Sequence, residues 1–531
     1  MSQDATPSPQ VVPTQADSKN PFDDDDFKAL VEKAMKDWNI PGLAISVVDG
    51  DNVYAQGYGY ASLPDKKPFT PETLAGWGST TKAQVMAVLS QMIDSGKYPQ
   101  LAKGWRTPIS SIIREDFVLQ DDWVTLNATL EDAACHRTGM ASHDYASFPL
   151  EIDGKPATVR GYVRNLRNLP MTDLLPRTQG HYCNPMYFTL GYVIEVLTEK
   201  PLGQVLKEML WAPLGMDNTY SSNKDANESA HEHAKSYMWN LEKGEFEEKP
   251  LVEIGHAGGA GFVISNVLDY AKWVKCLLNE AEPLSKAVHS DIKRSRIIYN
   301  PTRSSLAGPV HYGLGWLDTD IHGGVTQYTH SGSTQTFSSN MFWMPSMKYG
   351  LSMVHNGFMD GGSIHGILMR RLVEDKLNIP LEKRLDHYAR HLENRAEAYS
   401  QPQQIEETLF GKDSKDIVPS RCPIESLAGK YHNAGYGPIE LVVKDHPKDA
   451  SKKILWADRA NSIFPGQFIL HHKSSDFWVM NWTPLGSYPP DGVEVWKAQF
   501  RFGLDGSATE FGVQMNNRGE SEGEVVFKKT K

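Results

Sequence analysis

Ser79 and Lys82 stand three residues apart in Gly76-Trp77-Gly78-Ser79-Thr80-Thr81-Lys82. Apolar residues follow at Val85, Val88, Leu89, Met92 and Ile93, which is the spacing of one helix face. That spacing predicts a helix with Ser79 near its start and Lys82 on the same side of it. A serine hydroxyl is a weak nucleophile until a base takes its proton. A lysine can take it, or tune a second base, when burial and neighbours destabilise its ammonium. The positive end of the helix dipole would add to this at the hydroxyl. Ser-x-x-Lys alone also describes a solvated helix pair, so the chemistry depends on the company it keeps.

Two further stretches supply that company. Tyr182-Cys183-Asn184 stands just before a second helical pattern over 184–199. An adjacent lysine cation favours a tyrosinate, which could serve as base to the serine and as acid to a leaving group. Asn184 brings an amide for an acyl carbonyl or for the lysine. Tyr328-Thr329-His330-Ser331-Gly332-Ser333 closes a predicted strand, where Gly332 lets a substrate backbone approach closely. The amide N–H groups of Ser79 and Ser333 could form an oxyanion hole. The candidate catalytic residues are therefore Ser79, Lys82 and Tyr182. The candidate binding and oxyanion residues are Asn184, His330, Ser331, Gly332 and Ser333.

These three elements, in this order, resemble the serine β-lactamase and penicillin-binding-protein superfamily, in its class C β-lactamase-like branch of esterases and D-aminopeptidases. Supporting stretches are similar too: Asp132-Ala133-Ala134-Cys135-His136-Arg137-Thr138-Gly139-Met140, His256-Ala257-Gly258-Gly259-Ala260-Gly261 and Tyr312-Gly313-Leu314-Gly315-Trp316. The resemblance covers roughly 25–385. It implies an α+β fold in which an antiparallel sheet is flanked by helices, with a helical subdomain. It also implies acyl transfer through a serine ester without metal or organic cofactor.

Three features depart from the family pattern. His330 stands where true class C β-lactamases keep a lysine and where esterase and peptidase relatives commonly carry histidine. A histidine supplies less fixed charge for a substrate carboxylate at neutral pH. Arg137 replaces a small residue. A C-terminal extension opens with Leu427-Ala428-Gly429-Lys430-Tyr431 and resembles the lipocalin-like domains attached to some relatives.

The elements that must position these residues follow from pattern. Asp23 to Asp26 precede Phe27, Leu30, Val31, Ala34, Met35 and Trp38, one apolar helix face with an acidic N-terminus. Runs at 43–48 and 53–60 around Asp49-Gly50-Asp51-Asn52 predict a hairpin. The stretch 83–280 reads as mostly helical, with Asn266 able to cap a helix to about Asn279. Strands return near 311–317, 324–331, 337–344 and 350–356, and 381–398 reads as a charged helix. Short β-like runs then recur at 440–444, 453–457, 468–472, 477–481, 493–502 and 524–528, which predicts a small all-β barrel. The domain reading is a disordered tail over 1–22, a hydrolase domain over 23–398, a linker over 399–420 and a barrel domain over 421–531.

Composition narrows the function classes. With 54 Lys+Arg against 65 Asp+Glu, the chain is acidic and lacks the basic footprint of a nucleic-acid binder or of a protein docked on anionic membranes. Four cysteines in 531 residues, without a Cys-x-x-Cys pair, argue against a disulfide scaffold or a structural zinc site. The first residues carry neither a basic nor an apolar leader segment, and no apolar run is long enough to span a bilayer, so the expectation is a cytoplasmic protein. His231-Glu232-His233 lacks a third ligand and reads as solvated surface. Gly519-Glu520-Ser521-Glu522-Gly523 matches a nucleophile elbow only in letters and reads as a hairpin turn.

The expected activity is hydrolysis of a small-molecule acyl substrate, an ester or an amide such as a D-amino-acid peptide. Capture of the same acyl-enzyme by an alcohol or amine would make the protein an acyltransferase, and β-lactam hydrolysis is a further alternative. A non-catalytic binding protein is a different class of answer, against which the intact Ser79, Lys82 and Tyr182 argue.

Overall fold

The structure is a computed structural model. It describes residues 19–530 apart from 147, 303–306, 323, 335, 358–360, 412–416, 448, 485–493 and 518–519. Its centre is an antiparallel sheet of nine strands among the described residues. Their order is Ile297–Asn300, Val310–Tyr312, Leu317–Ile321, Val325–Ser333, Ser338–Met344, Tyr349–His355, Gly42–Asp49, Asn52–Ser62 and Lys67–Pro68. The N-terminal hairpin thus joins the later meander through Gly42–Asp49, which pairs with Tyr349–His355 from Leu43↔His355 to Asp49↔Tyr349.

Strand alternation divides the core. Leu43, Ile45 and Val47 face the helices Asp25–Asp37 and Gly361–Lys376, together with Phe342, Leu351 and Met353. Ala44, Val48, Met341, Trp343 and Val354 face the opposite way, toward the helices that carry the site. The acidic run behaves as a cap: Asp24 Oδ1 accepts from the Asp26 N–H at 2.9 Å. Asn266 caps Val267–Asn279 through the Asp269 N–H at 2.9 Å. Of the expected tail, 1–18 lies outside the described residues. Asn20 Oδ1 accepts from the Phe22 N–H at the start of a turn over Pro21–Asp23.

Eight antiparallel strands from Gly429–Asn433 to Glu520–Lys529 form a closed barrel. It closes through Tyr431↔Lys529 and His432↔Lys528. The sequence runs anticipate six of the strands; Gly429–Asn433 and Ala508–Asn517 are additional. Of the Gly-x-Ser-x-Gly stretch, Gly519 lies outside the described residues. Its remainder starts the last strand, where Asn517 pairs with Glu520.

Part of the stretch 399–420 is helical. The helix His387–Phe410 runs on through Pro402 to Phe410. Contacts with the barrel account for this extension: Lys473 Nζ reaches Glu406 Oε1 at 2.8 Å, and Lys497 lies over the Phe410 ring. Tertiary contact here outweighs the breaking tendency of proline. Among the described residues no helix is long and apolar enough to cross a membrane.

Candidate active site

Ser79 sits in the 3₁₀ turn Gly78–Thr80, which leads into the helix Thr81–Asp94. The turn is fixed from three sides. The Trp77 N–H donates to the Val263 carbonyl at 2.8 Å, and the Trp77 indole N–H donates to the Ser265 carbonyl at 3.0 Å. The Ser339 hydroxyl donates to the Trp77 carbonyl at 2.7 Å. The indole also stacks on Tyr270 with centroids 3.5 Å apart. Two glycines permit the close approach to the sheet. Gly78 has φ +51°, and a Cβ there would stand 2.6 Å from the Ser333 nitrogen. A Cβ on Gly332 would stand 1.9 Å from the Trp77 carbonyl oxygen.

Lys82, the second residue of the helix Thr81–Asp94, is fully buried. Its Nζ donates to Ser79 Oγ at 2.9 Å, to Asn184 Oδ1 at 2.8 Å and to the Ala260 carbonyl at 2.9 Å. Three acceptors around one nitrogen give a buried lysine the partners that its burial requires. Its nitrogen also lies 4.8 Å from the centroid of the Tyr182 ring and 5.2 Å from that of Tyr187. Asn184 opens the helix Asn184–Thr198 and donates through Nδ2 to Asp144 Oδ1 at 2.9 Å. That bond turns the amide oxygen toward Lys82. Asp144, Asn184, Lys82 and Ser79 thus form one hydrogen-bonded chain.

His136 fixes the half-buried Tyr182. The backbone N–H groups of His181 and Cys183 donate to the His136 carbonyl and Nδ1, at 2.7 and 3.0 Å. The His136 and Tyr182 rings lie 4.3 Å apart. Burial, together with the neighbouring phenols Tyr187 and Tyr182, raises the Tyr312 hydroxyl well above the ordinary tyrosine range. Burial does the same to Tyr187. Both therefore stay protonated. Tyr312 hydroxyl meets His330 Nε2 at 2.9 Å, while His330 Nδ1 faces the Ser331 carbonyl at 2.6 Å. This arrangement suits a neutral imidazole protonated at Nδ1 and accepting at Nε2.

Ser79, Tyr182, Asn184, His330, Ser331, Gly332 and Ser333 all line one cavity of about 800 Å³. Lys82 reaches it from behind through Ser79. All eight residues singled out from the sequence therefore meet in one place. Ser331 and Ser333 are exposed on the edge of Val325–Ser333, beyond the last residue paired with Leu317–Ile321. Among the described residues no group of three or more side chains gathers in metal-binding geometry.

Arg137 now has a structural account. It donates to Glu131 and Asp132, each at 2.7 Å, and to the Arg296 carbonyl at 3.3 Å. Burial pushes the Asp132 carboxyl up, yet hydrogen bonds from Arg177 and Arg137 outweigh it and hold the group below its ordinary range. Phe337 lines the cavity, whereas Trp77, Tyr187 and Trp343 are packed in the core. His233 is not solvated surface: burial lowers it to about 4, and it lines the cavity.

Sequence reasoning passed over two groups of residues. One is Asp144, for which no motif spacing gives a signal. The other is a wall supplied by the barrel: Ile463, Phe464, Trp482 and Glu494 line the same cavity. Arg459 ties the barrel to this region by donating to the carbonyls of Tyr436, Tyr145 and Ala146 at 3.0, 3.4 and 3.4 Å. His143 Nδ1 meets the Tyr436 hydroxyl at 2.8 Å across the same contact.

A family signature described as Beta-lactamase matches residues 27–371. The chain belongs to the β-lactamase family of serine hydrolases. It is 34% identical to an unguisins hydrolase of Aspergillus campestris over 499 residues, which span 94% of this chain and 90% of that one. It is 33% identical to an unguisins hydrolase of Aspergillus violaceofuscus, over 87% and 84% of the two chains. Among solved structures, the octameric penicillin-binding protein homologue from Pyrococcus abyssi shares the fold. Its TM-score is 0.58 at 20% identity, over 95% of this chain and 99% of that one.

Proposed function

We propose that this hydrolase cleaves small esters or amides through an acyl-enzyme on Ser79. The observation that carries the reading is the buried Lys82 nitrogen, bonded at once to Ser79 Oγ, Asn184 Oδ1 and the Ala260 carbonyl. Ser79 Oγ attacks the substrate carbonyl carbon, and its proton passes to the Lys82–Tyr182 pair. The backbone N–H groups of Ser79 and Ser333 stabilise the oxyanion. The C–O or C–N bond breaks, and the pair returns the proton to the leaving alcohol or amine. Water then attacks the ester carbonyl on Ser79 and gives a proton to the same pair; the C–O bond to Ser79 breaks, the pair returns that proton to Ser79 Oγ, and the acid is released. Asn184 and His330 orient the substrate.

The tyrosine-bonded imidazole of His330 in the third motif favours esters and peptide-like amides over penicillins, since it brings no fixed charge for their carboxylate. The Aspergillus relatives make unguisins the first compounds to add to a panel of p-nitrophenyl esters and D-amino-acid amides. Turnover of esters or amides by the wild type and its loss in Ser79→Ala are expected. Strong cephalosporin turnover without esterase or amidase activity would overturn the substrate reading.

A further inference from the structure

The barrel end of the cavity is chemically unlike the end at Ser79. Glu494, the first residue of the strand Glu494–Phe502, brings a carboxylate to the cavity wall. The Tyr145 hydroxyl lies 3.5 Å from its Oε1. The Tyr145 ring packs against Trp482 and Trp496 with centroids 4.9 and 5.2 Å apart. Trp482 and Phe464 also line the cavity. A carboxylate among aromatic faces attracts an alkylammonium group, by charge and by the ring quadrupoles.

The charge of the whole cavity points the same way. Among the described residues lining it, Asp144, Glu253 and Glu494 are acidic and none is Lys or Arg. Lys82, behind the cavity, is bonded to Ser79, Asn184 and Ala260, and Arg459 to backbone carbonyls. The place is also set relative to the reacting serine. Tyr145 directly follows Asp144, which holds Asn184 beside Lys82. We propose that Glu494, with Tyr145 and Trp482, forms a subsite for a protonated amine carried by the acyl part of the substrate. This rests on Ser79 being the acylated residue.

Four p-nitrophenyl esters test it with the full-length protein. The acetate reads the chemistry alone. N-acetylnorleucine is a neutral donor, N-acetyllysine adds a side-chain ammonium to the same carbon frame, and norleucine with a free α-amine places the ammonium at the backbone. The amino-acid esters are used in both enantiomers. At least one ammonium donor should exceed N-acetylnorleucine in kcat/KM by about tenfold or more, and which one does so identifies the amine bound. Glu494→Gln should bring that ratio close to one, and Glu494→Lys should invert it. Acetate turnover with no preference among the amino-acid esters, or with no turnover of them, overturns the subsite. So does a preference that survives Glu494→Gln. No acetate turnover at all overturns the hydrolase reading instead.

Discussion

Around Ser79 the helix-flanked sheet buries a cluster of polar groups, whereas the interior of the barrel is filled by aromatic ones. Around Ser79, the buried Lys82, Asn184, Asp144 and His330 each have named hydrogen-bond partners. The barrel instead packs Tyr431, Trp478, Trp496, Phe500, Phe511 and Phe527 into its core. A buried charge or amide is costly unless its partners are in place, so the first region has little tolerance for substitution. A filled apolar barrel tolerates changes that conserve volume and loses stability when volume is removed. Chemistry and packing are therefore separable in this chain, except at the wall where they share a cavity.

The largest effect should come from breaking the polar region at its centre. Ser79→Ala should lower kcat/KM by about 10³-fold or more on any substrate found, with little change in melting temperature, whereas Lys82→Ala should lower kcat/KM as much and the melting temperature too, because it takes the donor from Asn184 Oδ1 and the Ala260 carbonyl. Trp478→Ala should do the reverse. It empties a large volume in the barrel and should cost about 3–5 kcal/mol in denaturant unfolding, while the folded fraction keeps its turnover.

The contact between the regions should respond to acid. Burial lowers His143 from 6.5 to about 4, and its neutral ring suits the bonds to the Tyr436 hydroxyl and the Pro170 carbonyl. Because the folded value is depressed, the unfolded chain binds the extra proton between those limits, and stability falls as pH drops from about 6.5 toward 4. At about 1.4 kcal/mol per pH unit, His143 alone accounts for roughly 3 kcal/mol across that window. Thermal melts at pH 7 and pH 5 should differ less in His143→Gln than in the wild type. The smallest effect sharpens the polar chain itself. Asp144→Asn removes the charge behind Asn184 and should lower kcat by about tenfold, with fluorophosphonate labelling slowed in parallel. Unchanged kinetics would remove Asp144 from the chain.

The sequence made much of this legible, for local reasons. Ser79 and Lys82 belong to one turn of helix, and the hairpin around Asp49 to Asn52 is a run of adjacent residues, so pattern alone reveals both. Asp144 and Glu494 escaped because each acquires its place through a fold-level contact, with Asn184 in one case and with the cavity wall in the other. Two barrel strands escaped for compositional reasons. Gly429–Asn433 is polar around a single buried Tyr431, and in Ala508–Asn517 a glycine, Gly512, a residue depleted in strands, stands between Phe511 and Val513. The helix past 399 is held by Glu406 and Phe410 against the barrel, which its polar sequence does not announce.

The central claim is that Ser79 is the residue the buried Lys82 activates. Intact-protein mass spectrometry after a fluorophosphonate probe, on wild type and Ser79→Ala, tests it most directly. One adduct per wild-type chain and none on the variant is the predicted result. An adduct that persists on Ser79→Ala would place the nucleophile elsewhere and contradict the account.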